Sequence, residues 1–330
     1  MTAPASLSTE ATTGRPARSG PLRPFRFGVQ ARTAADRAGW VETARAAEDL
    51  GYAILTMPDH LDDQLSPVPA LATVAAAPER LRIGFLVLGN DYRHPAFVAK
   101  DAATLDLLSD GRLELGLGAG WMRSDYDQAG LTLDPPGTRI ERLVEAVAVM
   151  DACLSGQPVT HQGRHYQVEG LVSTPLPVQR PRPPLLIGGG GPRMLRTAGR
   201  LADIVGVNPD LRAGAITVDM AADVTRERVA EKVGWVREGA GDRFADIELQ
   251  VRPFVVAVTN RRRETAEKLA GAFGITADEG LASPLALVGS VDQIADDLRR
   301  RREELGFSYV VVGADVFRDF APVVAELTGT

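Results

Sequence analysis

The chain has 330 residues, with 37 Lys and Arg against 43 Asp and Glu, a net charge of −6 at neutral pH. A composition 45% apolar and 24% charged excludes wholesale disorder, and the acidic balance argues against non-specific nucleic-acid binding, which needs a basic face. The single cysteine, Cys153, excludes an intrachain disulfide, four histidines are few for a metal centre, and no run reaches the roughly 18 apolar residues of a membrane span.

Met1 to Pro24 is rich in Ala, Ser, Thr, Pro and Gly and lacks an apolar signal core. It is expected to be a disordered N-terminal tail of a cytoplasmic protein, with residues 25–330 forming one domain. From Phe25 onward, short apolar runs alternate with helical patterns. Phe25–Gln30 predicts a strand, Asp36–Leu50 a helix stopped by Gly51, and Ala53–Met57 the next strand. Leu81–Leu88, Arg112–Leu117, Leu185–Ile187, Ile204–Val207, Glu248–Val258 and Tyr309–Val312 continue the series.

The helices carry their own punctuation. Thr138-Arg139-Ile140-Glu141 and Ser290-Val291-Asp292-Gln293 have the pattern of capping boxes. Behind the first, Ile140, Leu143, Val144, Val147, Met150 and Leu154 share a face that ends at Gly156. Behind the second, Val291, Ile294, Leu298 and Leu305 do the same, ending at Gly306. Pro95 and Pro192 suit the first turn of a helix. Leu50-Gly51-Tyr52 and Leu305-Gly306-Phe307 are the same junction, a helix stopped by glycine and a strand opening behind it. The run Arg299-Arg300-Arg301-Arg302 is expected on a solvated helix face.

Near-continuous apolar strands separated by amphipathic helices predict a parallel sheet covered by helices. About eight such units point to an α/β fold, a (β/α)8 TIM barrel, with an open doubly wound sheet as the alternative. Two long connections, residues 156–184 and 209–247, are expected to be insertions that shape a pocket. The first holds a small β excursion near His165–Val168, the second a helix around Ala221–Val236.

A parallel barrel carries its site at the carboxyl ends of its strands. Four segments fall there. Pro58-Asp59-His60 follows the second strand, and His60 could donate or accept a proton near neutral pH. Gly89-Asn90-Asp91-Tyr92-Arg93-His94-Pro95 leaves the third strand and enters a helix. Gly116-Leu117-Gly118-Ala119-Gly120-Trp121 follows the fourth, where glycines let a flat ring approach and Trp121 could stack on it. Ile187-Gly188-Gly189-Gly190-Gly191-Pro192 joins a strand to a helix, and its N–H groups suit a phosphate. His161 and His165 have metal-ligand spacing but a turn context, and no metal is expected. No serine-hydrolase elbow or P-loop is present.

In series, Pro58-Asp59-His60, Ile83-Gly84 through Arg93-His94-Pro95, Leu107 to Arg112 leading into Gly116–Trp121, Ile187–Pro192, Ala202-Asp203 and Val288-Gly289-Ser290 resemble the luciferase-like monooxygenase superfamily, in particular its coenzyme F420-dependent oxidoreductases. The resemblance covers all but the tail. It implies a barrel that binds a flavin or deazaflavin at its carboxyl-end face, with His60 near the reactive ring carbon. It implies a non-prolyl cis peptide at Leu86–Val87 behind the ring. It also implies cofactor contacts from Asn90, Gly120, Gly188, Gly189, Gly190, Gly191 and Asn208. Gln30, Asp59, Trp121, Asp125 and Tyr126 are expected around the substrate. Where some deazaflavin sugar-phosphate dehydrogenases carry a glutamate after the G-x-G, this chain has Trp121, which points to a less polar substrate and leaves Asp125 or Tyr126 as replacement acids.

These residues point first to an F420-dependent enzyme transferring a hydride to or from a small organic substrate. An FMN-dependent monooxygenase served by a separate reductase is the alternative, and a non-catalytic flavin-binding protein the third reading. The resemblance implies a homodimer and a small-molecule substrate, while the acidic balance and the lack of a long apolar run predict neither nucleic acid nor membrane as partner.

Overall fold

The structure, a computed structural model, describes residues 22–215, 218–271 and 274–330. Eight parallel strands form the barrel: β1 (Arg26–Gln30), β2 (Ile54–Met57), β3 (Arg82–Phe85), β4 (Leu113–Gly118), β5 (Leu185–Gly189), β6 (Ile204–Val207), β7 (Glu248–Val251) and β8 (Phe307–Gly313). Each pairs with its neighbours in chain order, and β8 returns to β1 with Val312 opposite Val29. The closed barrel removes the open doubly wound alternative.

Helices cover the outside because the strands are apolar on both faces. The larger apolar core lies between strands and helices. A smaller set, Ile54, Leu86, Leu186, Ile204, Tyr309 and Val311, fills the barrel itself. The amino end is sealed by charge: the Arg26 guanidinium bonds Glu114 and Glu248, each at 2.6 Å, and lies 3.6 Å from the Tyr309 ring centre. A cleft lies at the carboxyl end.

Several local signals act as the sequence suggests. Asp36 caps helix Arg37–Asp49 by accepting from the Gly39 N–H, and Ser290 with Gln293 forms a complete capping box on helix Val291–Leu305. Pro95 and Pro192 each open a helix. Gly51 and Gly306 take the left-handed conformation (φ 83° and 89°) that a side chain would resist, and Tyr52 and Phe307 behind them are buried.

Other expectations are corrected. Helix Pro136–Leu154 starts two residues before Thr138, with Pro136 in its first turn, so the Thr138 capping box does not form. Leu81–Leu88 is not one strand: β3 ends at Phe85, the Leu86–Val87 peptide is cis, and a two-residue strand, Leu88–Gly89, follows. Glu248–Val258 is two strands in different sheets. Pro253, which has no N–H for a ladder, separates β7 from Val255–Val258, which pairs with the unforeseen strand Ala286–Gly289. In the arginine run, Arg301 is buried and donates to the Pro284 and Ala286 carbonyls, so this helix face is not wholly solvated.

The first insertion is an antiparallel hairpin, Val159–Gln162 with Gln167–Leu171. The second holds helix Arg226–Ala240, which packs on helix Pro192–Leu201. Of the expected tail, residues 1–21 lie outside the described residues. Arg23 donates to the carbonyls of Ala245 and Asp246. Among the described residues, no helix is long and apolar enough to cross a membrane.

Candidate active site

The carboxyl ends of the strands enclose a cleft of about 540 Å³. Its walls include Gln30, Asp59, His60, Leu86, Val87, Gly120, Trp121, the glycines 188–191 and Asn208.

His60 follows β2 and is held from behind. Its Nδ1 is 2.7 Å from Asp125 Oδ2, and its ring meets the Trp121 ring edge-on at 5.6 Å. Asp125 is 1% exposed and also accepts from the Leu61 N–H and the Tyr92 O–H, both at 3.1 Å. Burial, reinforced by Asp125, raises the Tyr92 phenol well above its ordinary pKa, so it remains a donor. With Nδ1 engaged, Nε2 makes no hydrogen bond among the described residues. Asp59 is spent on structure: it accepts from the Gly89 N–H at 3.0 Å and pairs with both Arg93 nitrogens at 2.5 and 3.1 Å, tying the end of β2 to the end of β3.

The opposite wall is backbone. β5 runs to Gly189, and helix Pro192–Leu201 starts behind Gly191, with no side chain capping it. The first N–H groups of a helix without such a cap are the kind of donors that can meet an anion. A Cβ on Gly190 would lie 2.0 Å from the Pro209 carbonyl oxygen, so only glycine lets the two loops meet. Asn208 joins them through its N–H to the Gly189 carbonyl (2.9 Å), and its own carbonyl accepts from Lys232 at 2.8 Å. Lys232 is fully buried. Burial lowers its pKa, while the partner Asp223, at 2.5 Å, favours the charged form. The floor between the walls is Val87, whose Cγ2 would sit 2.8 Å from a Cβ on Gly118, with Leu86 tied to Gln30 through a 2.9 Å bond from Nε2 to the Leu86 carbonyl.

Three expected site residues do not line the cleft. Asn90 opens a tight turn that directs its amide away, to the Tyr166 hydroxyl at 3.2 Å. Asp125 lies beneath His60. Tyr126 is fully buried and donates to Asp91 at 2.9 Å. The two are packed behind the wall because the short helix Arg123–Ala129 turns that face inward. His161 pairs with Glu145 at 3.1 Å in the hairpin, away from the cleft.

The sequence reading missed four cleft arginines, Arg32, Arg139, Arg212 and Arg252, and gave no role to Arg193 at the end of the glycine segment. Arg252 follows β7 directly and would have been found by the strand-end rule, had that strand not been extended to Val258.

The sequence model of the luciferase-like monooxygenase family matches residues 18–309. The chain is 31% identical over 191 residues to the F420-dependent glucose-6-phosphate dehydrogenase of Microbacterium testaceum, a match covering 54% of this chain and 55% of that protein. It is 28% identical over 289 residues to the protein of the same name from Nakamurella multipartita, covering 83% and 80%. Among solved structures it is similar to the coenzyme F420-dependent tetrahydromethanopterin reductase of Methanopyrus kandleri, with a TM-score of 0.72, 21% identity, and 92% and 98% of the two chains covered. At that identity the likeness is one of fold.

Proposed function

The chain belongs to the luciferase-like monooxygenase family, and from that membership we propose that it is a coenzyme F420-dependent oxidoreductase, transferring a hydride between the deazaflavin and a small organic substrate. The observation that carries the proposal is one cleft with a carboxylate-held histidine on one side and a glycine-built anion cradle on the other. The F420 dependence named for the two curated relatives favours the deazaflavin over FMN.

The residues present fit such a group. A Val87 floor with no polar side chain suits the face of a flat ring, and Gly188–Gly191 with Asn208 suits a phosphate. A deazaflavin held there would supply the hydride chemistry. The chain's own part is position and proton transfer. Asp125 holds the His60 ring through Nδ1, so that Nε2 can give a proton to the substrate oxygen during reduction, or take one during oxidation. Trp121 and Met122 keep that end of the cleft apolar and limit water. Trp121 in place of an acid argues against a sugar phosphate at this position and for a less polar reacting end.

We also place the protein in the cytoplasm, as a homodimer; a separate reductase would belong to the FMN alternative. The dimer is supported by an exposed apolar patch. Phe97, Leu107 and Leu108 on helix Pro95–Leu108 are exposed, as are Val172 and Val178 in the first insertion, and Lys100 ties that helix to the Thr174 carbonyl of the insertion at 3.1 Å.

The test is a parallel titration of the purified protein with F420 and FMN, followed by tryptophan fluorescence. Tight F420 binding with weak FMN binding is the expected result. Preference for FMN would overturn the proposal in favour of oxygen chemistry.

A further inference from the structure

Arginine is the hardest side chain to leave buried and unpaired, because its guanidinium keeps its proton and offers five donors. Most arginines around the cleft obey this rule. Arg32 pairs with Asp62, Arg193 with Glu141 and Arg212 with Asp210, while Arg139 donates to the carbonyls of Asp134 and Gly120. Arg252 is the exception. Among the described residues it makes no hydrogen bond and no ion pair, and its Nε is buried without a partner. The opposite charge that acts on it, Asp315 beyond the end of β8, stays outside ion-pair reach, and Arg32, just past β1, adds like charge. Its other neighbour is the Phe254 ring, with its centre 5.8 Å away. Burial pulls the guanidinium below its ordinary pKa.

Its place on the barrel says which ligand would supply that charge. The strands stand in the order β1 to β8 around the mouth. The cofactor reading, on which this step rests, uses the ends of β2, β3 and β4 for the ring and those of β5 and β6 for the phosphate. The sector left over is β7, β8 and β1, where Arg252, Gly313 and Gln30 sit. We propose that Arg252 binds an anionic group of the substrate, so that the substrate is an acid whose reacting end is apolar enough to lie against Trp121. A carboxylate or a phosphate ester would meet the guanidinium fork through paired N–H···O bonds. The same contact would fix how far the reacting carbon lies from His60.

The protein loaded with F420 is titrated with inorganic phosphate and, separately, with benzoate, and tryptophan fluorescence reports binding. Wild type is compared with R252M and R252K. The expected result is saturable binding of at least one anion, weakened about tenfold or more in R252M and less in R252K, with F420 affinity unchanged in both variants. Binding of phosphate alone would identify a phosphate ester, and binding of benzoate a carboxylic acid. The proposal is overturned if wild type binds neither anion, or if R252M binds them equally well. It is also overturned if R252M loses F420 affinity in step with anion affinity, which would place Arg252 on the cofactor. Failure of wild type to bind F420 would remove the cofactor reading by itself, and the anion titrations repeated without F420 would still test Arg252.

Discussion

At the scale of single residues, the site depends on pairs rather than on isolated groups. An unrestrained imidazole would sample several orientations and both tautomers. Asp125, buried and committed to three donors, allows His60 one arrangement. His60→Ala is therefore expected to lower kcat by about 10²- to 10⁴-fold, the usual contribution of a positioned acid or base. Asp125→Asn should lower kcat by a smaller factor and leave F420 affinity unchanged, since Asp125 reaches the chemistry only through His60. Steady-state kinetics beside an F420 titration checks both. An Asp125→Asn enzyme that loses cofactor binding while keeping kcat would show that the carboxylate shapes the cleft instead.

At the scale of elements, the barrel's connections are held by polar groups reaching between units. Glu48, near the end of helix Arg37–Asp49, accepts the backbone N–H groups of Arg80 (2.5 Å), Leu81 (2.7 Å) and Glu79 (3.3 Å), just ahead of β3. Partial burial alone would raise this carboxyl, but the three N–H groups outweigh it and hold the pKa below the ordinary value of 4.5. A depressed folded-state pKa contributes stability that is present above the unfolded value and is lost as pH falls through the folded one. Glu48→Gln is thus expected to cost about 1 kcal/mol at pH 7, kept small by solvent screening. The difference from wild type should shrink as the pH drops below about 4. Urea unfolding at neutral and acid pH measures it, and a deficit that does not change with pH would refute the charge argument.

At the scale of the whole molecule, a sealed amino end and an open carboxyl end give the barrel its polarity. The Arg26, Glu114 and Glu248 cluster closes the amino end, and the cleft built on the strand ends lies at the carboxyl end. The exposed patch lies on the flank, with Phe97 68% and Leu108 62% exposed. Burying such a patch against a second copy would remove apolar area from water without obstructing the mouth. The double variant Phe97→Glu, Leu108→Glu is expected to convert a dimer into a folded monomer in sedimentation velocity, while F420 still binds. A monomeric wild type would remove the dimer proposal.

The sequence by itself determined what local physics controls. Asp36, Ser290 and Gln293 mark helix starts, and Gly51 and Gly306 mark stops, because capping and left-handed turns need nothing beyond the neighbouring residues. The alternation of apolar runs with amphipathic stripes required a covered parallel sheet, and a four-glycine run between strand and helix marked the proposed anion cradle. Only the tertiary structure decided which side of a loop each residue faces. Asn90, Asp125 and Tyr126 have strand-end positions like those of cleft residues, yet they turn away because a short turn and a short helix rotate them against the hairpin and against the back of the wall. The end of β7 was hidden for the same reason. An apolar stretch continues past Pro253, and only pairing with distant Ala286–Gly289 assigns Val255–Val258 to another sheet, leaving Arg252 at the mouth. Caps and glycine stops are contacts of neighbours in sequence, whereas facing and register are contacts of residues far apart in the chain, which packing alone brings together.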